Sequence, residues 1–176
     1  MRVLIYGAGV IGSLYAALFS EAGVDTSVYA REARLETLRR SGLRYEKNRA
    51  VCAANVCVLD TLRPNDIYDF IFLTVRENQL HEALAQLREN QSPCIVTMVN
   101  SIEDYTVWEQ LCGSGRILPA FPGAGGGVEN GVLHAALTPR FIQPTTFGIL
   151  SPKQEPAAKQ MKALFKRAKI PYQQVK

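Results

Sequence analysis

Met1-Arg2-Val3-Leu4-Ile5-Tyr6-Gly7-Ala8-Gly9-Val10-Ile11-Gly12 decides the fold. The first six residues read as a short apolar strand. Ser13-Leu14-Tyr15-Ala16-Ala17-Leu18-Phe19 then reads as an apolar, helix-compatible run. Between them stands G-x-G-x-x-G, after a strand and opening a helix, the context in which that pattern signals dinucleotide binding. Gly7 would allow the tight turn, Gly9 would let the backbone approach a pyrophosphate, and Gly12 would let the helix pack closely on its strand. Gly7, Gly9, Val10, Ile11 and Gly12 are therefore candidate cofactor-binding residues. Free N–H groups at the positive end of the helix dipole would receive the pyrophosphate. A glycine-rich βα turn that binds nothing is the competing reading.

Val24–Ala30 follows as a second strand, closing a βαβ unit of about 30 residues. An acid just after this strand would accept hydrogen bonds from the ribose 2′-hydroxyl of NAD, whereas an Arg would accommodate the 2′-phosphate of NADP. Here the strand ends in Tyr29-Ala30-Arg31, with Arg34 one helical turn on, and the first acid, Glu32, lies between them. A guanidinium suits a phosphate by charge and by bidentate geometry. The pattern favours NADP(H), with Arg31 as its ligand. Arg31 and Arg34 as solvated residues of a surface helix is the plainer reading.

Strands alternate with helices over the first 112 residues. Glu32–Ser41 reads as a helix stopped by Gly42, and Leu43–Glu46 and Ala50–Val58 as a small strand pair. Tyr68–Val75 reads as a buried strand, Arg76–Glu89 as a helix, Cys94–Val99 as a strand and Glu103–Cys112 as a helix closed by Gly113. This order implies a parallel sheet with helices on both faces, a Rossmann-like, doubly wound α/β fold. Beyond Arg116 a strand is expected at Ile117–Phe121, then a flexible run at 123–127. Val132–Ala136, Phe141–Gln143 and Thr145–Leu150 are expected to form a small antiparallel extension at the sheet edge. Pro156–Ala168 has helical register, and Ile170–Val175 reads as a last strand.

Composition narrows the function. A 47% hydrophobic share supports a substantial core, and a net charge of +4 without aromatic interleaving argues against nucleic acid. Cys52, Cys57, Cys94 and Cys112 form no C-x-x-C pair, and with only His81 and His134 there is no metal-ligand spacing. No signal peptide or 18-residue apolar span is expected, so the sequence reads as cytoplasmic, with reduced thiols and no membrane association.

The ordered set of landmarks resembles the amino-terminal, NADP-binding domain of the ketopantoate reductase (2-dehydropantoate 2-reductase) family. It comprises the glycine fingerprint, Arg31, Thr74-Val75-Arg76-Glu77-Asn78-Gln79, Val99-Asn100-Ser101, Phe121-Pro122-Gly123-Ala124, and Glu129-Asn130-Gly131-Val132-Leu133-His134. The resemblance covers essentially residues 1–176, taken as one dinucleotide-binding domain. It implies NADPH-dependent reduction of an α-keto acid to an α-hydroxy acid. It also implies cofactor contacts from Arg76, Gln79 and Asn100, with Asn100 near the nicotinamide end and the substrate as the catalytic candidate. Arg76 stands where the family usually has Lys, and Ser101 follows Asn100 where it usually has Gly. The family's catalytic Lys belongs to a second, helical domain that these residues do not include. Binding without fast turnover is therefore expected of this piece, together with self-association through apolar surface. A non-catalytic NADP-binding module, a related dehydrogenase with another substrate, and a purely structural Rossmann domain stay open on the residues alone.

Overall fold

The computed structural model describes residues 1–175. Its core is a sheet built by strict alternation. The strands β1 (Arg2–Tyr6), β2 (Asp25–Tyr29), β5 (Cys57–Leu59), β6 (Phe70–Leu73), β7 (Ile95–Thr97) and β8 (Ile117–Phe121) are all parallel. Val3, Ile5, Phe70, Phe72, Val96 and Leu118 point to one face; Leu4, Tyr6, Ile71, Leu73, Ile95 and Ile117 point to the other. A strand whose successive side chains are all apolar must be covered on both sides, which is why the fold is doubly wound.

The strand order is β12-β11-β8-β7-β6-β1-β2-β5, where β11 is Thr145–Phe147 and β12 is Tyr172–Gln174. The first turn of chain direction away from β1 runs toward β2 and β5, and the second half starts at β6. Carboxyl ends of β1 and β6 therefore meet at a topological switch point, the place where open α/β sheets bind ligands.

One face carries α3 (Leu80–Leu87) and α4 (Tyr105–Cys112), with Leu80, Ala83, Leu84, Leu87, Trp108 and Cys112 buried against the sheet. The other carries α1 (Val10–Glu21) and α5 (Glu155–Arg167), while α2 (Glu32–Ser41) buries Leu38. Helix α1 buries residues around most of its circumference. A second sheet explains this, in the order β4-β3-β10-β9: Ala50–Ala54, Leu43–Lys47, Val132–Leu137 and Ala124–Glu129. It packs on the side of α1 away from the main sheet, and a helix apolar all round is a buried one.

The expected α/β architecture with a small antiparallel part is present, and several details are corrected. Residues 50–58 are not one strand: the chain leaves the second sheet after Ala54 and enters the main sheet at Cys57. The glycine run at 123–127 is not a free loop but β9, paired with β10. A Cβ on Gly126 would lie 2.2 Å from the His134 carbonyl oxygen, so glycine here permits close approach of backbones. Val132–Leu137 lies in the second sheet and not at the main sheet's edge. Residues 141–143 form a turn in which the Ile142 and Gln143 N–H groups donate to the Pro139 carbonyl. Of the expected edge extension only β11 is antiparallel, pairing with β8, and β12 then adds in parallel. The helix expected from Arg76 begins as a 3-10 turn over Glu77–Gln79 and becomes α-helical at Leu80. Helix α4 begins at Tyr105 because Asp104 caps it, accepting from the Thr106 N–H at 2.8 Å.

Candidate functional site

The glycine turn is held from three sides. Gly7 has φ +111°, and a Cβ there would sit 3.0 Å from the Thr74 carbonyl. The Thr74 hydroxyl donates to the Gly7 carbonyl at 2.7 Å, tying the end of β6 to the turn after β1. Gly12 lies behind the turn: its Cβ would approach the Gly7 carbonyl oxygen to 2.1 Å and the Thr74 hydroxyl to 2.4 Å. Gly9 is different, since a Cβ there would meet nothing within 4 Å. It is the N-cap of α1, no side chain caps it, and the first turn holds no acid. Helix α1 thus presents first-turn N–H groups that have no hydrogen-bond partner among the described residues, beside open space.

That space is a cleft of about 530 Å³ at the carboxyl ends of β1, β2 and β6. Gly7, Gly9, Arg31, Arg76 and Gln79 line it, as do Arg34, Thr74 and Glu82. Val10 and Ile11 follow Gly9 in the first turn of α1, half-buried and not on the cleft wall, and Gly12 is buried. Asn100 is exposed in the loop after β7 and is not on the cleft wall. It follows Thr97 by three residues as Arg76 follows Leu73, and Leu73 pairs with Thr97 in register. Asn100 and Arg76 thus leave neighbouring strands at the same level. Ser101, Ile102 and Glu103 border a separate hollow of about 380 Å³ with His81.

Three arginines face the cleft, each held differently. Arg31 is engaged by Glu82, Tyr6, Tyr29 and Gln86. The hydrogen bond to Glu82 raises its pKa further above the usual guanidinium range. Arg34 donates to the Ala8 carbonyl at 2.9 Å and to the Ser13 hydroxyl at 3.1 Å, bracing the turn from behind. Burial pushes the Arg34 pKa down, and among the described residues no carboxylate pairs with it. Arg76 is exposed at the start of the 3-10 turn and makes no ion pair among the described residues. Tyr6 and Tyr29 stack with centroids 4.4 Å apart and form a flat floor under Arg31. Burial drives the Tyr6 hydroxyl up to about 12, so it stays a neutral donor.

Sequence reasoning singled out Arg34 only as a neighbour and missed Glu82, Tyr6 and Gln86. Glu82 lies 51 residues after Arg31, and nothing local links them. Period-3.6 spacing from Leu80 does place Glu82 off the buried stripe of α3, which was the available signal.

Residues 3–151 match the family described as ketopantoate reductase PanE/ApbA. The chain belongs to the ketopantoate reductase family. A 2-dehydropantoate 2-reductase of Mesorhizobium japonicum is 31% identical over 105 residues, covering 58% of this chain and 32% of that protein. One of Archaeoglobus fulgidus is 30% identical over 115 residues, covering 63% and 36%. The chain therefore spans about a third of the length of the curated relatives it matches. A D-mandelate dehydrogenase solved with NADH and anilino(oxo)acetate superposes with a TM-score of 0.83 at 18% identity, over 99% of this chain and 57% of that one. That likeness concerns the fold. The matched residues include the G-x-G-x-x-G turn at 7–12, which lies at the junction of β1 and α1. No helix among the described residues is long and apolar enough to cross a membrane.

Proposed function

We propose that the cleft binds NADP(H) and that the chain is the cofactor-holding part of an oxidoreductase that reduces an α-keto acid, of the ketopantoate class, to an α-hydroxy acid. The observation that carries this is the uncapped head of α1 beside open space at Gly9, with three arginines on the same cleft. A cradle that a Cβ would fill, lined by N–H donors and cations, fits a dinucleotide's phosphates.

The Gly9, Val10 and Ile11 N–H groups would receive the pyrophosphate. Arg31 and Arg34 would face the ribose phosphate, and Tyr6 and Tyr29 would support Arg31. Arg76 and Gln79 would hold the chain of the cofactor as it passes the end of β6. Asn100, in the loop after β7 at the level of Arg76, would orient the reacting end and the substrate as the catalytic candidate. When bound, the nicotinamide supplies the hydride; the protein supplies orientation and charge. Arg76 in place of the family's usual Lys supports a second reading, a keto acid other than ketopantoate, because the two cations differ in geometry. This reading also places the chain in the cytoplasm, in pantothenate biosynthesis, with a small keto acid as partner and with homodimer formation.

Calorimetric titration of the chain with NADPH and, separately, NADH tests the proposal. Binding of NADPH in the micromolar range, tighter than NADH, is the expected outcome. Heat-silent titration with both, at protein concentrations near 100-fold above about 1 μM, would remove the cleft's assigned role.

A further inference from the structure

We propose that Glu82 sets the choice between a 2′-phosphate and a 2′-hydroxyl in this cleft by holding the Arg31 guanidinium. This rests on reading the cleft as a dinucleotide site.

The Arg31 side chain leaves the start of α2 and reaches across the cleft mouth to α3. Its Nη1 donates to Glu82 Oε1 at 2.8 Å, and its Nε donates to the Tyr29 hydroxyl at 3.1 Å. Its Nη2 donates to the Tyr6 hydroxyl at 3.0 Å and to Gln86 Oε1. A guanidinium has five N–H donors, and these bonds leave one unengaged. Glu82 also organises the rest of the cluster. Its Oε1 accepts from Gln86 Nε2 at 3.0 Å, which turns the Gln86 carbonyl toward Arg31 and toward the Tyr6 hydroxyl, 2.5 Å away.

A phosphate recognised by an arginine fork takes two parallel N–H donors. One spare donor does not provide this, so a 2′-phosphate must displace a partner. Glu82 is the partner it meets with like charge. A 2′-hydroxyl has no such conflict: it can accept from the spare N–H and donate to the Glu82 carboxylate. In sequence, Arg31 stands where the acid that recognises a 2′-hydroxyl is expected after β2, and the next residue, Glu32, also lines the cleft but makes no ion pair with Arg31 among the described residues. In the folded chain α3 delivers the carboxylate that does pair with Arg31. The cleft thus carries both recognition elements, already paired with each other. Arg34 contrasts with Arg31, since its partners are a carbonyl and a hydroxyl and its charge stays uncompensated for any phosphate.

The Arg31–Glu82 pair is solvent-exposed, with side chains 42% and 62% accessible. Exposed pairs are weak enough to be exchanged for a ligand, so Glu82 tunes selectivity and does not block the site.

The test is calorimetric titration of the full chain and of Glu82→Gln with NADPH and with NADH. In the variant, NADPH is expected to bind about three- to fivefold more tightly, with NADH unchanged or weaker, the upper scale of one exposed charge interaction. Glu82→Ala is expected to move the NADPH-to-NADH ratio the same way, and circular-dichroism melts confirm that both variants fold. A ratio that stays within about twofold of the parent, or moves toward NADH, overturns the role of Glu82 while leaving the cleft a dinucleotide site. Binding of neither dinucleotide by the parent chain overturns the cleft reading and this proposal together.

Discussion

Gly9 and Gly12, three positions apart, separate function from packing. At Gly9 a side chain meets open space, and φ is −73°, a value any residue adopts. Gly9→Val is expected to keep the parent melting temperature within a degree or two. It should weaken dinucleotide binding at least tenfold, because the new methyls occupy the space beside the free N–H groups; paired melts and titrations check this. At Gly12 the same addition drives a Cβ into the Gly7 carbonyl at 2.1 Å. Gly12→Ala is expected to destabilise the chain by about 3 kcal/mol, since overpacking against backbone has no side chain to yield, as a urea midpoint would show. Both glycines stand in the motif, and the spacing alone suggested their separate roles. The roles of Arg31 and Arg34 were not separable in that way. Two arginines three residues apart look equivalent in sequence, yet one is neutralised by α3 and the other braces the turn.

At the scale of elements, Arg116 joins α3, α4 and β8. Its Nε donates to the Ser92 carbonyl at 3.0 Å, Nη1 to Leu87 at 3.0 Å and Cys112 at 2.6 Å, and Nη2 to Asn90 at 2.7 Å. Leu87 and Cys112 are the last residues of α3 and α4. One cation thus satisfies carbonyls that helix termini leave open and stands at the negative end of both dipoles. Arg116→Met keeps the stem's volume and removes the donors. It is expected to cost about 2–3 kcal/mol, since hydrogen bonds to a charged group exceed neutral ones, and amide exchange should quicken first at the ends of α3 and α4. Helix α3 also carries Glu82 and Gln86, so loosening this anchor should reach the cleft. Elements marked by an unbroken apolar run, such as β1, α1 and β6, or by helical register, such as α5, were legible. Glycine-rich β9 was not, because glycine in a strand and glycine in a loop look alike until the opposing backbone at His134 is known.

The whole molecule buries several groups in their neutral form. Desolvation raises the Cys94 thiol to about 12 and the Cys112 thiol to about 11. It also raises the Tyr15 and Tyr68 hydroxyls to about 12 each. Each folded pKa lies above its unfolded value, so the stability these groups contribute is complete below about pH 8.5, the unfolded thiol value. It is lost as pH rises through 11 and 12, because the unfolded chain releases those protons first. Urea melts at pH 8, 10 and 11 are expected to show a falling midpoint, and Cys94→Val should flatten the fall. A midpoint that holds steady to pH 11 would contradict the buried-neutral account.

The sequence by itself determined the βαβ start, the parallel sheet and the glycine turn, because these depend on local order: unbroken apolar runs in strands, a 3.6 period in helices, and glycines at fixed offsets, while the ordered set of motifs carried the resemblance to the family. Tertiary structure alone decided that a second sheet covers α1, that Asn100 stands off the cleft wall, and that Glu82 faces Arg31 from 51 residues away. Those outcomes depend on which surfaces meet. Contacts between distant segments follow from the burial of whole faces, and no short window of residues encodes them.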